Sequence, residues 1–233
     1  MKKIIYLFLA FIIFMMKAPV MVRADVTVLN YSIQTDDNYQ IFLATDNSVQ
    51  GDLIASGTGW GNTHIGTSNL NLTPGQTYFL HVYGDDSGGG PAGFLGQFSL
   101  SGSSAVFANN TANLLTNTTN WQVTSSGTTS PTTYNAALWN TGSYTTPMSA
   151  GTNSSNLVWS QNSSINNSAQ WIWSKFDSPT QNNGNFNYDS YFTTQITSGP
   201  VPEPSSMILL GIGLACGAVG LRKKNSATAS VNC

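Results

Sequence analysis

Hydrophobic and polar residues alternate in short stretches from Asp25 onward, and turn-forming residues separate the stretches. Val26-Thr27-Val28-Leu29-Asn30-Tyr31-Ser32-Ile33 opens the pattern. Tyr39, Ile41 and Leu43 then alternate with Gln40 and Phe42, and Asp46-Asn47-Ser48 marks a turn. Leu70 and Leu72 flank Asn71, and Pro74-Gly75 marks the next turn. Tyr78, Leu80 and Val82 alternate with Phe79, His81 and Tyr83; Phe94, Gly96, Phe98 and Leu100 alternate with Leu95, Gln97 and Ser99. Successive side chains of a strand point to opposite faces, so a period of two rich in aromatic and β-branched residues predicts strands. No long apolar stripe of period 3.6 interrupts them. Repeated short strands predict an all-β, jelly-roll-like β-sandwich ectodomain over residues 25–199.

From Thr124 to Asn167 the chain is dominated by Ser, Thr, Asn and Gly, punctuated by Trp139 and Trp159. Long loops between outer strands are expected there, because the two indoles need somewhere to bury; a low-complexity stalk is the alternative. Trp121, Trp171 and Trp173 read as core, with Trp171 and Trp173 on one face if their segment is a strand.

The two ends follow another pattern. Met1-Lys2-Lys3 precedes a nearly unbroken apolar run from Ile4 to Met16, and Val22-Arg23-Ala24 follows. Charged start, apolar core and small-residue site predict a secretory signal helix over residues 1–24, cleaved by signal peptidase after Ala24; with Lys17 and Arg23 downstream of the core, an uncleaved anchor is the alternative. At the other end, Val201-Pro202-Glu203-Pro204 leads into an apolar run of 15 residues, Met207 to Leu221, closed by Arg222-Lys223-Lys224. As a helix that run is about 22 Å long, short for a bilayer core of about 30 Å, so a short transmembrane helix needs local thinning or snorkelling. The basic cluster Arg222, Lys223 and Lys224 keeps its side cytoplasmic and the bulk of the protein outside. Residues 200–225 form this segment and residues 226–233 a short tail.

Charge is partitioned the same way. Between Asp25 and Gly199 there are nine Asp, one Lys, no Glu and no Arg, a formal charge of -8. Such a surface does not hold a nucleic-acid backbone. Both cysteines, Cys216 and Cys233, lie in the C-terminal segment, so the ectodomain has neither a disulfide framework nor a thiolate metal site.

The tripartite tail, Pro202-Glu203-Pro204, short apolar helix and Arg222-Lys223-Lys224, closely resembles the PEP-CTERM sorting domain. That resemblance implies an exosortase partner, cleavage near the Pro-Glu-Pro motif, and a membrane-anchored precursor that goes on to the cell surface, outer envelope or medium. It also implies association with exopolysaccharide or an extracellular matrix. Pro202 and Pro204 favour an extended backbone beside the membrane, which a processing enzyme can thread. Glu203, the only Glu in the protein, sits between them.

The ectodomain also resembles galactose-binding-like jelly-roll modules. The pieces are Thr35-Asp36-Asp37-Asn38-Tyr39-Gln40-Ile41-Phe42-Leu43, Leu72-Thr73-Pro74-Gly75-Gln76-Thr77-Tyr78, Gly90-Pro91-Ala92-Gly93-Phe94-Leu95-Gly96, Asn120-Trp121-Gln122-Val123 and Ala169-Gln170-Trp171-Ile172-Trp173-Ser174. The resemblance implies a sandwich whose end loops bind sugar, in some members with a structural Ca²⁺.

Candidate chemistry follows from residue types. Asp36 and Asp37, with Asn38, offer the oxygen ligands that suit Ca²⁺, or the Asp residues close the turn ahead of a strand. Asp85 and Asp86 precede Gly88-Gly89-Gly90-Pro91 and either grip a sugar hydroxyl or Ca²⁺ or form a solvated loop tip. Trp60 and Asn62, in Gly57-Thr58-Gly59-Trp60-Gly61-Asn62, present an aromatic face and an amide to a sugar ring; alternatively Trp60 covers the open end of the core. No nucleophile elbow, zinc-spaced His pair or phosphate loop occurs, and adjacent loop Asp residues make poor glycosidase acids. The expectation is a non-enzymatic surface or matrix protein that binds carbohydrate, or one that is purely structural and adhesive.

Overall fold

Alternation becomes two antiparallel sheets in the computed structural model, which describes residues 25–86, 92–126, 134–141, 143–156, 159–175 and 189–200. The predicted signal helix, the Pro202-Glu203-Pro204 motif, the transmembrane helix and Arg222, Lys223 and Lys224 lie outside the described residues. Among the described residues no helix is long and apolar enough to cross a membrane.

The strands in chain order are β1 (Asp25–Thr35), β2 (Asn38–Ala44), β3 (Asp52–Thr58), β4 (His64–Leu72), β5 (Thr77–Asp85), β6 (Phe94–Ser101), β7 (Val106–Phe107), β8 (Asn113–Leu115) and β9 (Gln122–Ser125). A 3₁₀ helix, Ala136–Thr141, follows, then β10 (Met148–Thr152), β11 (Ser155–Asn156), β12 (Gln170–Trp173) and β13 (Ser190–Thr197). One sheet runs β11-β10-β12-β6-β1-β4, with β8 also paired to β6. The other runs β3-β2-β5-β13-β7, with β9 also paired to β13. The architecture is the expected sandwich, compatible with a jelly roll.

The predicted inward faces meet between the sheets. Leu29, Ile33, Tyr39, Ile41, Leu70, Leu72, Tyr78, Leu80, Val82, Phe94, Phe98 and Leu100 all join one buried cluster, closed by Trp121, Trp173 and Phe192. The turns also form as their residues dictate. Ser48 donates to the Asp46 carboxylate from both its backbone N (2.7 Å) and its hydroxyl (2.6 Å), and Gly75 takes a φ of 78° in the Pro74-Gly75 turn.

The outer faces are covered as well, which strict alternation did not foretell. Phe42, Tyr83 and Tyr191 leave the β2-β5-β13 sheet on its outer side and bury Trp139 of the 3₁₀ helix completely. The Trp139 indole lies flat on His81, with ring centroids 4.2 Å apart and planes 4° apart, and its Nε1 donates to the Tyr134 hydroxyl at 2.9 Å. On the other sheet Leu95, Ala150, Ile165, Ala169 and Trp171 form a third cluster, with Trp159 stacked on Trp171 at 4.3 Å. The Ser/Thr/Asn-rich stretch therefore supplies both covers, and its indoles are the anchors.

One expectation is corrected here. Trp171 and Trp173 do not share a face: Trp171 packs in the outer cluster, and Trp173 contacts Phe192 in the main core. Alternation breaks at the end of β12, where the neighbours Ile172 and Trp173 both enter the main core; the register slip in the β10–β12 pairing puts its extra residue in β10, between Ser149 and Thr152.

Candidate functional site

Three strands cross from one sheet to the other at the same end of the sandwich. β1 runs into β2 through Asp36-Asp37, β3 into β4 through residues 59–63, and β5 into β6 through residues 86–93. β1 pairs β4 and β6, while β2 pairs β3 and β5, so the Asp36-Asp37 link is the central of the three. The ladder continues over the bend on both flanks. Gly59 N donates to Asp37 O at 2.6 Å, and Asp36 N donates to Gly93 O at 2.9 Å. The bend itself needs a left-handed residue, and Asp37 supplies it at φ 61°, a conformation Asp tolerates better than most side chains. Gly93 stays side-chain free for another reason. A Cβ there would lie 2.8 Å from the Trp159 and Trp171 rings.

The bend gathers carboxylates. Asp36, Asp37 and Asp86 each bring an oxygen within 4.8 Å of the other two. Asp85, at the end of β5, accepts from Asn38 Nδ2 at 2.8 Å. Burial pushes the Asp36 carboxyl up to about 7, and the charges of Asp86, Asp37 and Asp85 push the same way against a hydrogen bond from the Asp37 backbone. A second layer lies behind: burial, together with the charges of Asp85 and Asp189, raises the Tyr83 phenol. A half-buried carboxyl held near neutrality by its burial and by neighbouring carboxylates is a site short of positive charge. The donors are all oxygens, the set that could hold a hard cation such as Ca²⁺ on Asp36, Asp37 and Asp86.

The flank formed by residues 59–63 carries the aromatic group. Trp60 is 62% exposed, so it does not cover the core. Gly59 turns the chain at φ 104°, with the Asn62 side chain folded against it. The loop is held from outside: Gln34 Nε2 donates to Trp60 O at 3.2 Å, and Asn162 Nδ2 bridges Gln34 Oε1 and Thr63 Oγ1, each at 2.7 Å. Asn162 is fixed in turn by Asn153, whose Oδ1 accepts from Asn162 N at 2.8 Å.

All six binding candidates read from the chain therefore meet at one corner. Asp36 and Asp37 stand at its centre, Trp60 and Asn62 on one side, Asp85 and Asp86 on the other. Gln34, Asn162 and Asp189 were not singled out beforehand. The last two lie more than sixty residues beyond the corner loops, and only the fold brings them there. Asn38, read from the chain beside Asp36 and Asp37, is instead turned to Asp85, its partner in the β2–β5 ladder.

Residues 200–224 match the family model of the PEP-CTERM protein-sorting motif. Neither a curated protein nor a solved structure matches the chain. The sorting motif implies exosortase-dependent processing of a membrane-anchored precursor exported to the cell surface.

Proposed function

We propose that the ectodomain is a non-enzymatic, Ca²⁺-assisted carbohydrate-binding module, displayed at the surface through its sorting tail. The observation that carries this reading is the shared corner: three converging carboxylates beside an exposed, braced indole. A cation held by Asp36, Asp37 and Asp86 would neutralise the bend and itself offer coordination to vicinal sugar hydroxyls. Trp60 would stack on the apolar face of the ring, and Asn62 and Asp85 would bond its hydroxyls. Catalysis is not part of the proposal, because the carboxylates crowd one bend instead of facing each other across a substrate cleft.

A glycan array probed with residues 25–200, with Ca²⁺ and with EDTA, tests the reading. Binding should be Ca²⁺-dependent and fall about tenfold or more in Trp60→Ala, in line with the loss of one stacking contact. A blank array from a folded sample would leave the second reading, a structural or adhesive matrix protein without a specific ligand. That reading draws on the neutral outer face of the β1-β4-β6 sheet, where Asn30 Nδ2 lies 3.4 Å from Ser99 Oγ and 3.5 Å from Ser101 Oγ.

Sorting has its own test. With Glu203→Gln, or with Pro202 and Pro204 both replaced by Ala, the chain should accumulate as the membrane-bound precursor. Immunoblots of membrane and surface fractions from the native host read this directly. Unchanged release of the shortened form would remove the Pro-Glu-Pro segment from the recognition step.

A further inference from the structure

The outer face of the β5-β13 sheet carries a cavity of about 320 Å³ beside the aromatic cap, well away from the sequence stretches that form the corner. Its lining comes from both strands and from loops. Phe79 and Gln195 are ladder partners, and Thr193 pairs with His81 on one side and Gln122 on the other. Tyr78, Leu80, Phe192 and Ile196 of the same strands point into the main core, so Phe79, Thr193 and Gln195 face outward. Asn47 and Asn120 reach in from the β2–β3 and β8–β9 loops.

The chemistry of this lining is narrow. None of its residues is an acid, a base or a thiol. It has no cation to hold a phosphate or carboxylate and no ligand set for a metal. What it offers is amides and hydroxyls around one phenyl ring. Each side-chain amide pairs a donor with an acceptor, the complement of two neighbouring hydroxyls. Gln122 and Gln195 are exposed, and among the described residues neither side chain is engaged by another group. Asn47 is already oriented, its Oδ1 accepting from Thr193 Oγ1 at 2.6 Å and lying 3.2 Å from His81 Nε2. The volume is at the small end of ligand pockets, enough for one or two rings. Phe79 supplies an apolar face on which the C–H side of a ring can rest.

We propose that this cavity is a second saccharide site, selective for an uncharged sugar ring and independent of Ca²⁺. It goes beyond the corner reading and does not rest on it. Its test is isothermal titration of the full-length chain in detergent micelles with glucose, galactose, mannose and N-acetylglucosamine in the presence of EDTA. At least one of these should bind, and Gln122→Ala and Gln195→Ala should each weaken it about tenfold, the effect of a lost hydrogen bond. Trp60→Ala and Asp36→Asn should leave that binding unchanged, which separates this site from the corner. Gln195→Glu, which keeps the side-chain shape, should weaken it at least as much. The proposal is overturned if no neutral sugar binds in EDTA, if both glutamine variants bind like the parent, or if Trp60→Ala abolishes the binding. Glucuronate binding as tightly as glucose would equally overturn it, since selectivity for uncharged rings is part of the claim.

Discussion

Trp139→Ala should cost about 3–5 kcal/mol of folding stability, the range for removing a fully buried indole. The residue sits in a stretch that composition alone would class as loop or stalk, yet its side chain has no exposed surface. It covers His81, contacts Phe42 and Tyr191, and donates to Tyr134. The Tyr144 hydroxyl donates towards both Trp139 O and Asn47 O, each at 3.2 Å, tying the 3₁₀ helix to the β2–β3 loop. Losing the indole therefore opens a cavity and loosens two loops together. Trp139→Phe keeps a ring over His81 and gives up the bond to Tyr134, so its cost should be smaller, about 1–2 kcal/mol. Urea unfolding midpoints of the two variants check both values. A cost below about 1 kcal/mol for the alanine variant would mean that the cap is not part of the cooperative unit.

How far the chain could be read in advance follows from where its information lies. The strands from β1 to β6 were legible because each alternates in-out against a single core, and Leu29, Leu80 and Phe98 reach the positions their period assigns. The outer covers were not. Phe42, His81 and Tyr83 look like the solvent side of alternating strands, and only a distant, polar stretch carrying Trp139 makes that side a second core. Trp171 and Trp173 failed for a local reason, a break in alternation at the end of β12 where Ile172 and Trp173 both turn to the main core. The corner was legible as residues and not as a place. Asp36-Asp37, Trp60 and Asp85-Asp86 stand out as loop chemistry, but their convergence depends on three separate strands crossing between sheets at one end. The cavity left no trace in the sequence, since Gln122, Thr193 and Gln195 are ordinary residues on the outer side of ordinary strands.

The contributions of Asp36 and His81 to the stability of the Ca²⁺-free protein should nearly cancel between about pH 4 and 6.5, because the two groups titrate in opposite senses there. Burial lowers His81 to about 4 from 6.5. Across that window the unfolded chain binds a proton that the native His81 refuses, so stability falls as pH falls, by about 3 kcal/mol in all. Asp36 acts in the reverse sense. Its native carboxyl, raised to about 7 from 3.8, keeps a proton that the unfolded chain has released, so its contribution is lost as pH rises through the window. Asp36→Asn should remove the second slope and expose the first, giving a variant whose stability climbs from pH 4 to 6.5. His81→Gln should do the opposite and decline as pH rises towards 7. Trp139→Ala, by uncovering the imidazole, should resemble His81→Gln in pH dependence while being far less stable at every pH. Saturating Ca²⁺ should make the parent follow the Asp36→Asn profile, because a bound cation favours the ionised carboxylate, and at a hundredfold excess over Kd it adds about 2.7 kcal/mol. Urea titrations with EDTA or CaCl₂ at about pH 4.5, 6.5 and 8 resolve these cases. A parent that loses stability steeply on acidification in EDTA would mean that Asp36 is not held protonated. A Ca²⁺ response that persists in Asp36→Asn would move the cation away from the bend.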